Sequence, residues 1–559
     1  MYGSATDLAD VPGSGGVAHR TPDDLPTAAL RRAQVGLAAL TVGLLELWLV
    51  LDPRTPDLAA QVYRVELFHR LGLAVWDEHW YAGHHLPGYS LLFPPLGSLL
   101  GVRLLGVLSV LASTVMFERL MRSLYGAVAA RWSAAWFAVA AVGDVWAGRI
   151  AFALGVSLAL AAALALRRRH LWWACLLAAL CASASPVAGA LLGLAGLTVS
   201  VASGSWRHVL VLAAPAGAVV LALAALFPEG GYEPFPILSF AATAVVTGTF
   251  LAALPSGART LRIGGWMYLA VCVLCLAIHS PVGSNVERYG VLLAGPLLLC
   301  ARLSAPRAAA AAPGVVAGAR RVAMLALALG AAAVWVVWGP VRETAAVAGS
   351  PATSASYYLP VERFLAGRPG GPVRVEVPLT RSHWEAALLA PSVSLARGWE
   401  KQLDTRYDGV LLRPGLTGAG YDGWLHDQAV AYVALPDVAL DPSSAQEGRV
   451  IRSDPAFLKL VFASAHWRIY AVRNPTPLVS GPAHLVSLGN DSFTLRVASS
   501  GTAEVRVRYT RYWTLTAGRG CVGRAAGGWT AVRPAAAGTV VVSARFSLGR
   551  ALGTGGSCV

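Results

Sequence analysis

The sequence predicts an α-helical polytopic membrane protein that carries an extracytoplasmic soluble region, mixed α/β and then β-sandwich. Three observations predict it. Of 559 residues, 56% are hydrophobic and only 13% are charged, against about 25% charged in soluble domains. The apolar residues gather into about eleven segments of roughly membrane-spanning length. From about residue 345 onward the pattern changes to short alternating runs separated by Gly-rich turns.

The elements follow in chain order. Residues 1–30 are rich in Gly, Pro, Asp and Ser, a composition that predicts a disordered tail. Arg31 and Arg32 then precede the first apolar run, which reads as an uncleaved signal anchor with the tail in the cytoplasm. The apolar segments lie near 33–51, 97–117, 129–147, 150–166, 171–185, 187–203, 208–227, 237–254, 264–279, 289–303 and 322–338. Together they make a transmembrane domain over 31–338. The formal net charge is +15, and lysine occurs only at 401 and 459. The arginines cluster on alternate connections, at 119 and 122, 167–169, 207, 259 and 262, and 302–321. The positive-inside rule makes those connections cytoplasmic, so the basic total reports topology and not nucleic-acid binding. An odd number of crossings then puts everything after Trp338 outside. That part divides into a mixed α/β domain over 339–478 and a β-sandwich over 479–559, the latter built from "SFTLRVASS", "AEVRVRYTRYWTL" and "GTVVVSARF". Five of the seven cysteines fall in apolar segments, and Cys521 and Cys558 in the polar C-terminal part, where two thiols outside a membrane can pair.

The first outer loop, 52–96, is the most polar stretch of the membrane half. In "TPDLAAQVYRVELFHRLG", Pro56 suits the first helical turn, and Leu58, Val62, Val65, Phe68 and Leu71 recur at helical spacing. This predicts an amphipathic helix on the outer membrane surface. Asp57, Gln61 and Arg64 share its polar face, a carboxylate beside an amide and a guanidinium. An acid in a first turn also offsets the helix dipole, so Asp57 has a plain structural role open to it. Asp52 is the alternative acid, and it also serves to end the first membrane helix with Pro53. In "WDEHWYAGHHLPGYS", Trp76, Trp80 and Tyr81 stand among Asp77, Glu78, His79, His84 and His85. Such aromatics suit the headgroup level of a bilayer or stacking on sugars. His and carboxylates also ligate metals, so a divalent ion is compatible, but the spacing matches no metal motif and no cofactor is called for. Two further outer clusters are Asp144 with Arg149, which can be an interfacial ion pair, and Asn285–Glu287–Arg288. Ionisable groups at membrane depth are costly and often functional, and Arg149 or Arg288 can hold a lipid-borne phosphate.

These features together resemble the GT-C superfamily of integral-membrane glycosyltransferases. The resemblance covers roughly 33–338 and is strongest at "PDLAAQVYRVELF…WDEHWYAGHHLPGYSLLFPPL"; "GRIAFALG" and "SPVAGALLGLAG" look like a group of actinobacterial multi-pass proteins. The resemblance implies a sugar donor on polyprenyl phosphate and a cell-envelope glycan or lipid acceptor. It implies that Asp57 is the general base, and that Arg149, Arg288 or a His of the pair His84–His85 steadies the leaving phosphate. Gln61, Arg64, Trp76, Trp80 and Tyr81 are then candidate acceptor contacts, joined by Trp399 and Trp424 of the C-terminal region, whose plain role is core packing. The loop departs from the family pattern in having no DxD or DD pair: four residues separate Asp52 from Asp57. Two other classes fit the composition, a multi-pass transporter or flippase and a non-catalytic envelope scaffold. Transporters usually show internal repeats, and no repeat stands out.

Overall fold

The computed structural model describes residues 27–305, 315–553 and 558. Most of the expected N-terminal tail, and part of the arginine-rich connection before residue 321, lie outside them. Each apolar segment is helical. The series runs α1 (Thr27–Leu51), α2 (Pro56–Leu71) in the 52–96 loop, α3 (Phe93–Leu100), α4 (Val102–Tyr125), α5 (Ala127–Trp146), α6 (Ile150–Arg167), α7 (Leu171–Ala184), α8 (Pro186–Ser203), α9 (Ala214–Leu226), α10 (Ile237–Ala253), α11 (Arg259–Ala277), α12 (Glu287–Leu303) and α13 (Val315–Val347). A π-turn, Val209–Ala213, leads into α9. Seven of the described helices are long and apolar enough to cross a membrane, and α7 and α10 are shorter apolar helices.

Two boundaries differ from expectation. The segment starting near 97 is two helices, because Gly101 takes a left-handed backbone (φ +81°) that ends α3. The last helix runs past Trp338 and Pro340 to Val347. Its added turn is held laterally: the Trp146 indole donates to Thr344 Oγ1 at 2.8 Å.

Beyond α13 stands a five-stranded sheet in the order β4–β3–β5–β7–β6, made of β3 (Arg374–Glu376), β4 (Ser394–Leu395), β5 (Val430–Pro436), β6 (Leu458–Ala463) and β7 (Trp467–Val472). β3 pairs parallel with β4 and β5, and β7 pairs antiparallel with β5 and β6. Two four-stranded antiparallel sheets follow. One has the order β12–β15–β10–β9, from β9 (Ala483–Leu488), β10 (Ser492–Val497), β12 (Trp513–Ala517) and β15 (Gly538–Ala544). The other has the order β13–β14–β11–β8, from β8 (Val479–Ser480), β11 (Ala503–Arg508), β13 (Gly520–Arg524) and β14 (Trp529–Pro534). Alternate side chains of both sheets meet in one core, including Leu495, Val505, Trp513, Val532 and Val542. A Cys521–Cys558 disulfide ties the C-terminus to β13.

The C-terminal part is joined to the helical part through the 52–96 loop. One hydrophobic core joins Trp48, Tyr63, Trp80 and Ile150 of the membrane half to Tyr358, Val375, Leu389 and Trp467 of the α/β domain. The expected surface helix is therefore not one. Gln61, Tyr63, Arg64 and Leu67 of α2 are all buried, because α3 packs on one side and the Glu385–Leu388 turn of the α/β domain on another.

Candidate functional site

The site forms where the membrane helices meet this junction. It begins with the turn from α5 to α6, "DVWAGRI". Gly148 there has φ +85°, and a Cβ would come within 2.4 Å of the Leu58 nitrogen. Only glycine lets this turn press against the start of α2. Two polar clamps fix the contact. Thr55 Oγ1 donates to the Trp146 carbonyl at 3.1 Å. The Gln61 amide donates to the Gly148 carbonyl and accepts from the Ala151 N–H at 2.9 Å. Gln61 thus spends both ends of its amide on holding the turn.

The clamps bring Asp57 to Arg149. Arg149 Nε lies 3.2 Å from Asp57 Oδ2, and its Nη1 lies 3.7 Å from Asp144 Oδ1. Asp144 is buried, whereas Asp57 keeps about a third of its side chain exposed (36%). Arg288, in the first turn of α12, acts electrostatically on Asp57, Asp144 and Arg149. Its guanidinium lies 5.4 Å from the centroid of the Phe152 ring. Among the described residues it makes no hydrogen bond and no ion pair. Two cations and a half-open carboxylate thus share one place, and the second cation has no partner of its own.

Glu233 and Glu400, not among the sequence candidates, complete the surroundings together with Arg64 and the loop aromatic Tyr89. Glu233 lies in the loop between α9 and α10. Gly283 (φ +42°) lets the turn between α11 and α12 approach it so closely that a Cβ would meet the Glu233 carbonyl at 1.9 Å. Ser284 then donates to Glu233 Oε1 at 3.1 Å. Burial pushes the Glu233 carboxyl up to about 7, against the opposing pull of the Ser284 hydroxyl and Arg288. Tyr89, near Arg64 and Arg288, is pushed up to about 12 by burial. On the soluble side Glu400 pairs with Arg64 at 2.6 Å. Arg64 lies over the rings of Tyr89 (4.0 Å) and Trp80 (5.0 Å). Three His, Cys, Asp or Glu side chains do not gather into a metal-ligand set among the described residues; Arg149 stands between Asp57 and Asp144 instead.

The other sequence candidates lie elsewhere. Asp52 pairs with Arg103 and Arg54 at the end of α1. Trp76, Trp80 and Tyr81, expected at a headgroup or sugar surface, are instead buried against the C-terminal domains. The Trp80 indole donates to the Ala386 carbonyl at 3.0 Å, and the Tyr81 hydroxyl donates to Asp404 at 3.1 Å. The short strands β1 (Trp76–Asp77) and β2 (His84–His85) pair across a hairpin inside this junction. His84 is buried, with Nδ1 3.1 Å from the Asp77 carbonyl. His85 contacts Glu229 at 2.7 Å and Thr510 at 2.9 Å. Both imidazoles therefore have protein partners and face away from open space. Trp424 is a core residue, bonded to Asp408 at 3.1 Å. Trp399 is half-buried and stacks on His383 at 3.4 Å.

Fold and site together define a multi-pass membrane protein with a charged site beneath soluble domains. No family model matches the chain, and no curated protein does. Among solved structures, the chain is similar to the cryo-EM structure of arabinofuranosyltransferase AftD from Mycobacteria, with 16% identity and a TM-score of 0.46 over 92% of this chain and 57% of that one. It is also similar to the crystal structure of ArnT from Cupriavidus metallidurans bound to undecaprenyl phosphate, with 14% identity and a TM-score of 0.41 over 80% of this chain and 98% of that one. The chain thus spans just over half the length of the AftD chain.

Proposed function

We propose that the protein is a membrane glycosyltransferase that moves a sugar from a polyprenyl-phosphate donor to a hydroxyl of a cell-envelope glycan or lipid. In this reading all eleven apolar helices cross the bilayer, the N-terminus is cytoplasmic and the soluble domains are extracytoplasmic. The observation that carries it is the grouping of Asp57, Arg149 and Asp144 beside the unpaired Arg288, at the ends of apolar helices.

The chemistry follows from the charges. A phosphate on a membrane-borne lipid would take the free Arg288 first. It would then compete with Asp57 for Arg149, since guanidinium groups bind phosphate oxygens strongly. Asp144, buried behind Arg149, keeps that guanidinium aimed. Asp57, released from its ion pair, is free to accept the proton of an acceptor hydroxyl. The hydroxyl oxygen bonds to the anomeric carbon as the bond from that carbon to the phosphate oxygen breaks. The phosphate leaves with the bonding electrons, and the two arginines offset its charge.

The test is product formation by purified protein in nanodiscs, with polyprenyl-phosphate sugars and an envelope glycan. Transfer by the wild type that is lost in Asp57→Asn and kept in Asp52→Asn is the expected result. Transfer that survives Asp57→Asn would move the base elsewhere. Absence of transfer with every donor would overturn the reading.

A further inference from the structure

The β-sandwich rests on the last turns of α9. Leu223 and Phe227 are buried in the sandwich core, with Leu226 packed against it. The Tyr512 hydroxyl donates to the Leu226 carbonyl at 2.7 Å. Leu223 lies inside the apolar span Val209–Leu226, so any sandwich surface level with it is level with lipid.

One exposed stretch of the sandwich begins beside Phe227, the residue that directly follows that span. Phe546 lies 5.9 Å, centroid to centroid, from Phe227 and 5.5 Å from Tyr512. Leu548 and Leu552 follow on a short helical turn, Leu548–Ala551, and are 69% and 78% exposed. Three large apolar side chains pointing outward from a seven-residue stretch would be costly in water. The turn is held rigidly from within. Arg550 donates to the Trp513 carbonyl at 2.7 Å and to Thr514 Oγ1 at 2.8 Å. Arg511 donates to the Ala551 carbonyl at 2.7 Å. Arg545, just before Phe546, is exposed; its backbone N–H donates to the Tyr512 carbonyl at 2.9 Å, and its side chain has no hydrogen bond or ion pair among the described residues.

We propose that Phe546, Leu548 and Leu552 insert into the bilayer leaflet on the side of the soluble domains, with Arg545 at the level of the lipid phosphates. Apolar side chains below a cation is the arrangement that interfacial anchors use. The anchor fixes the sandwich beside the end of α9 independently of any transferase activity. Its occupant is lipid, because Phe546 packs against Phe227, which directly follows a helix apolar enough to cross a membrane.

The test places a reporter at the anchor in the full chain. Leu552→Cys is made with the five unpaired cysteines replaced, labelled with an environment-sensitive fluorophore and reconstituted in phosphatidylcholine–phosphatidylglycerol nanodiscs. Ser499→Cys, on the connection between β10 and β11 at the opposite end of the sandwich, is labelled in parallel. Quenching of the 552 label by nitroxide-bearing lipids, with little at 499, is the expected result. Quenching of the 552 label only by a water-soluble quencher would overturn the proposal. So would protection from both quenchers in particles containing two protein copies, which would make this face a contact between copies. Leu548→Cys is the second reporter if the 552 variant does not fold, and the same outcomes decide.

Discussion

Sealed and half-open charge in this molecule are built to opposite ends. At the junction with the 52–96 loop Glu78 pairs with Arg374 at 2.6 Å, and both side chains are sealed from solvent. Further into the α/β domain, Arg397 is shared among Asp404, Asp408 and Glu447, all fully buried. Burial pushes Asp408 up to about 8 and Glu376 well above the usual carboxylate range, so this cluster accommodates its excess of acids by holding protons. The cluster around Asp57 has the same residue types, yet it is left partly open and one of its guanidinium groups is unmatched. Residue type alone does not separate architecture from chemistry. The difference is whether the charges are already satisfied by the fold.

The comparison breaks most severely at the sealed pair. Arg374→Ala leaves Glu78 buried without its cation, which costs about 3–5 kcal/mol. The expected outcome is a soluble part that no longer packs on the outer loop, seen as rapid proteolysis between the two halves. Because such a loss comes from the stranded charge, the double change Glu78→Gln with Arg374→Met should recover much of the protection. Equal sensitivity in the single and double variants would show that the pair contributes something other than charge compensation.

At the open cluster the expected effects are on rate and not on folding. Asp57→Asn should lower turnover about 10²- to 10⁴-fold, the usual range for a general base, with an unchanged melting temperature. Arg288→Gln removes a charged hydrogen-bonding partner worth about 1.5–3 kcal/mol, so binding of polyprenyl phosphate should weaken about 10- to 100-fold. A variant that melts early while binding normally would move Arg288 to the architectural side of the comparison.

How much of this was legible follows the range of the interactions. The helices are visible because apolarity is a local property, and every apolar segment is helical, though Gly101 divides one of them in two. Asp57, Arg149 and Arg288 could be picked out because charge at the ends of apolar segments is costly and therefore conspicuous. The sealing of Trp76, Trp80 and Tyr81 could not. Their partners Ala386, Asp404 and Trp513 lie hundreds of residues onward, and an aromatic-rich loop reads the same whether lipid, sugar or protein covers it. Glu233 was missed for a related reason. Its environment depends on Gly283 in a left-handed conformation, in another loop. The composition of "PEGGYEPFP" carries no sign of that approach.

Glu233 offers the smallest and most specific test, because it ties the open cluster to pH. Its carboxyl sits at about 7 in the fold, raised by burial, and near 4.3 in an unfolded chain. The folded state therefore binds this proton more tightly than the unfolded state does. The stability it contributes is complete below about pH 4.3 and is lost as pH rises through about 7. Wild-type protein should thus lose more thermal stability between pH 5 and 8 than Glu233→Gln, which stays neutral throughout. Parallel melting curves would show that Glu233 is already ionised at pH 5, and the group would then belong with the satisfied charges. The ligand supplies the second half of the argument. Arg288 opposes the rise in the Glu233 carboxyl, so a phosphate that neutralises Arg288 removes that opposition. Saturating polyprenyl phosphate should move the pH midpoint of the wild-type curve upward and leave the Glu233→Gln curve without a midpoint to move.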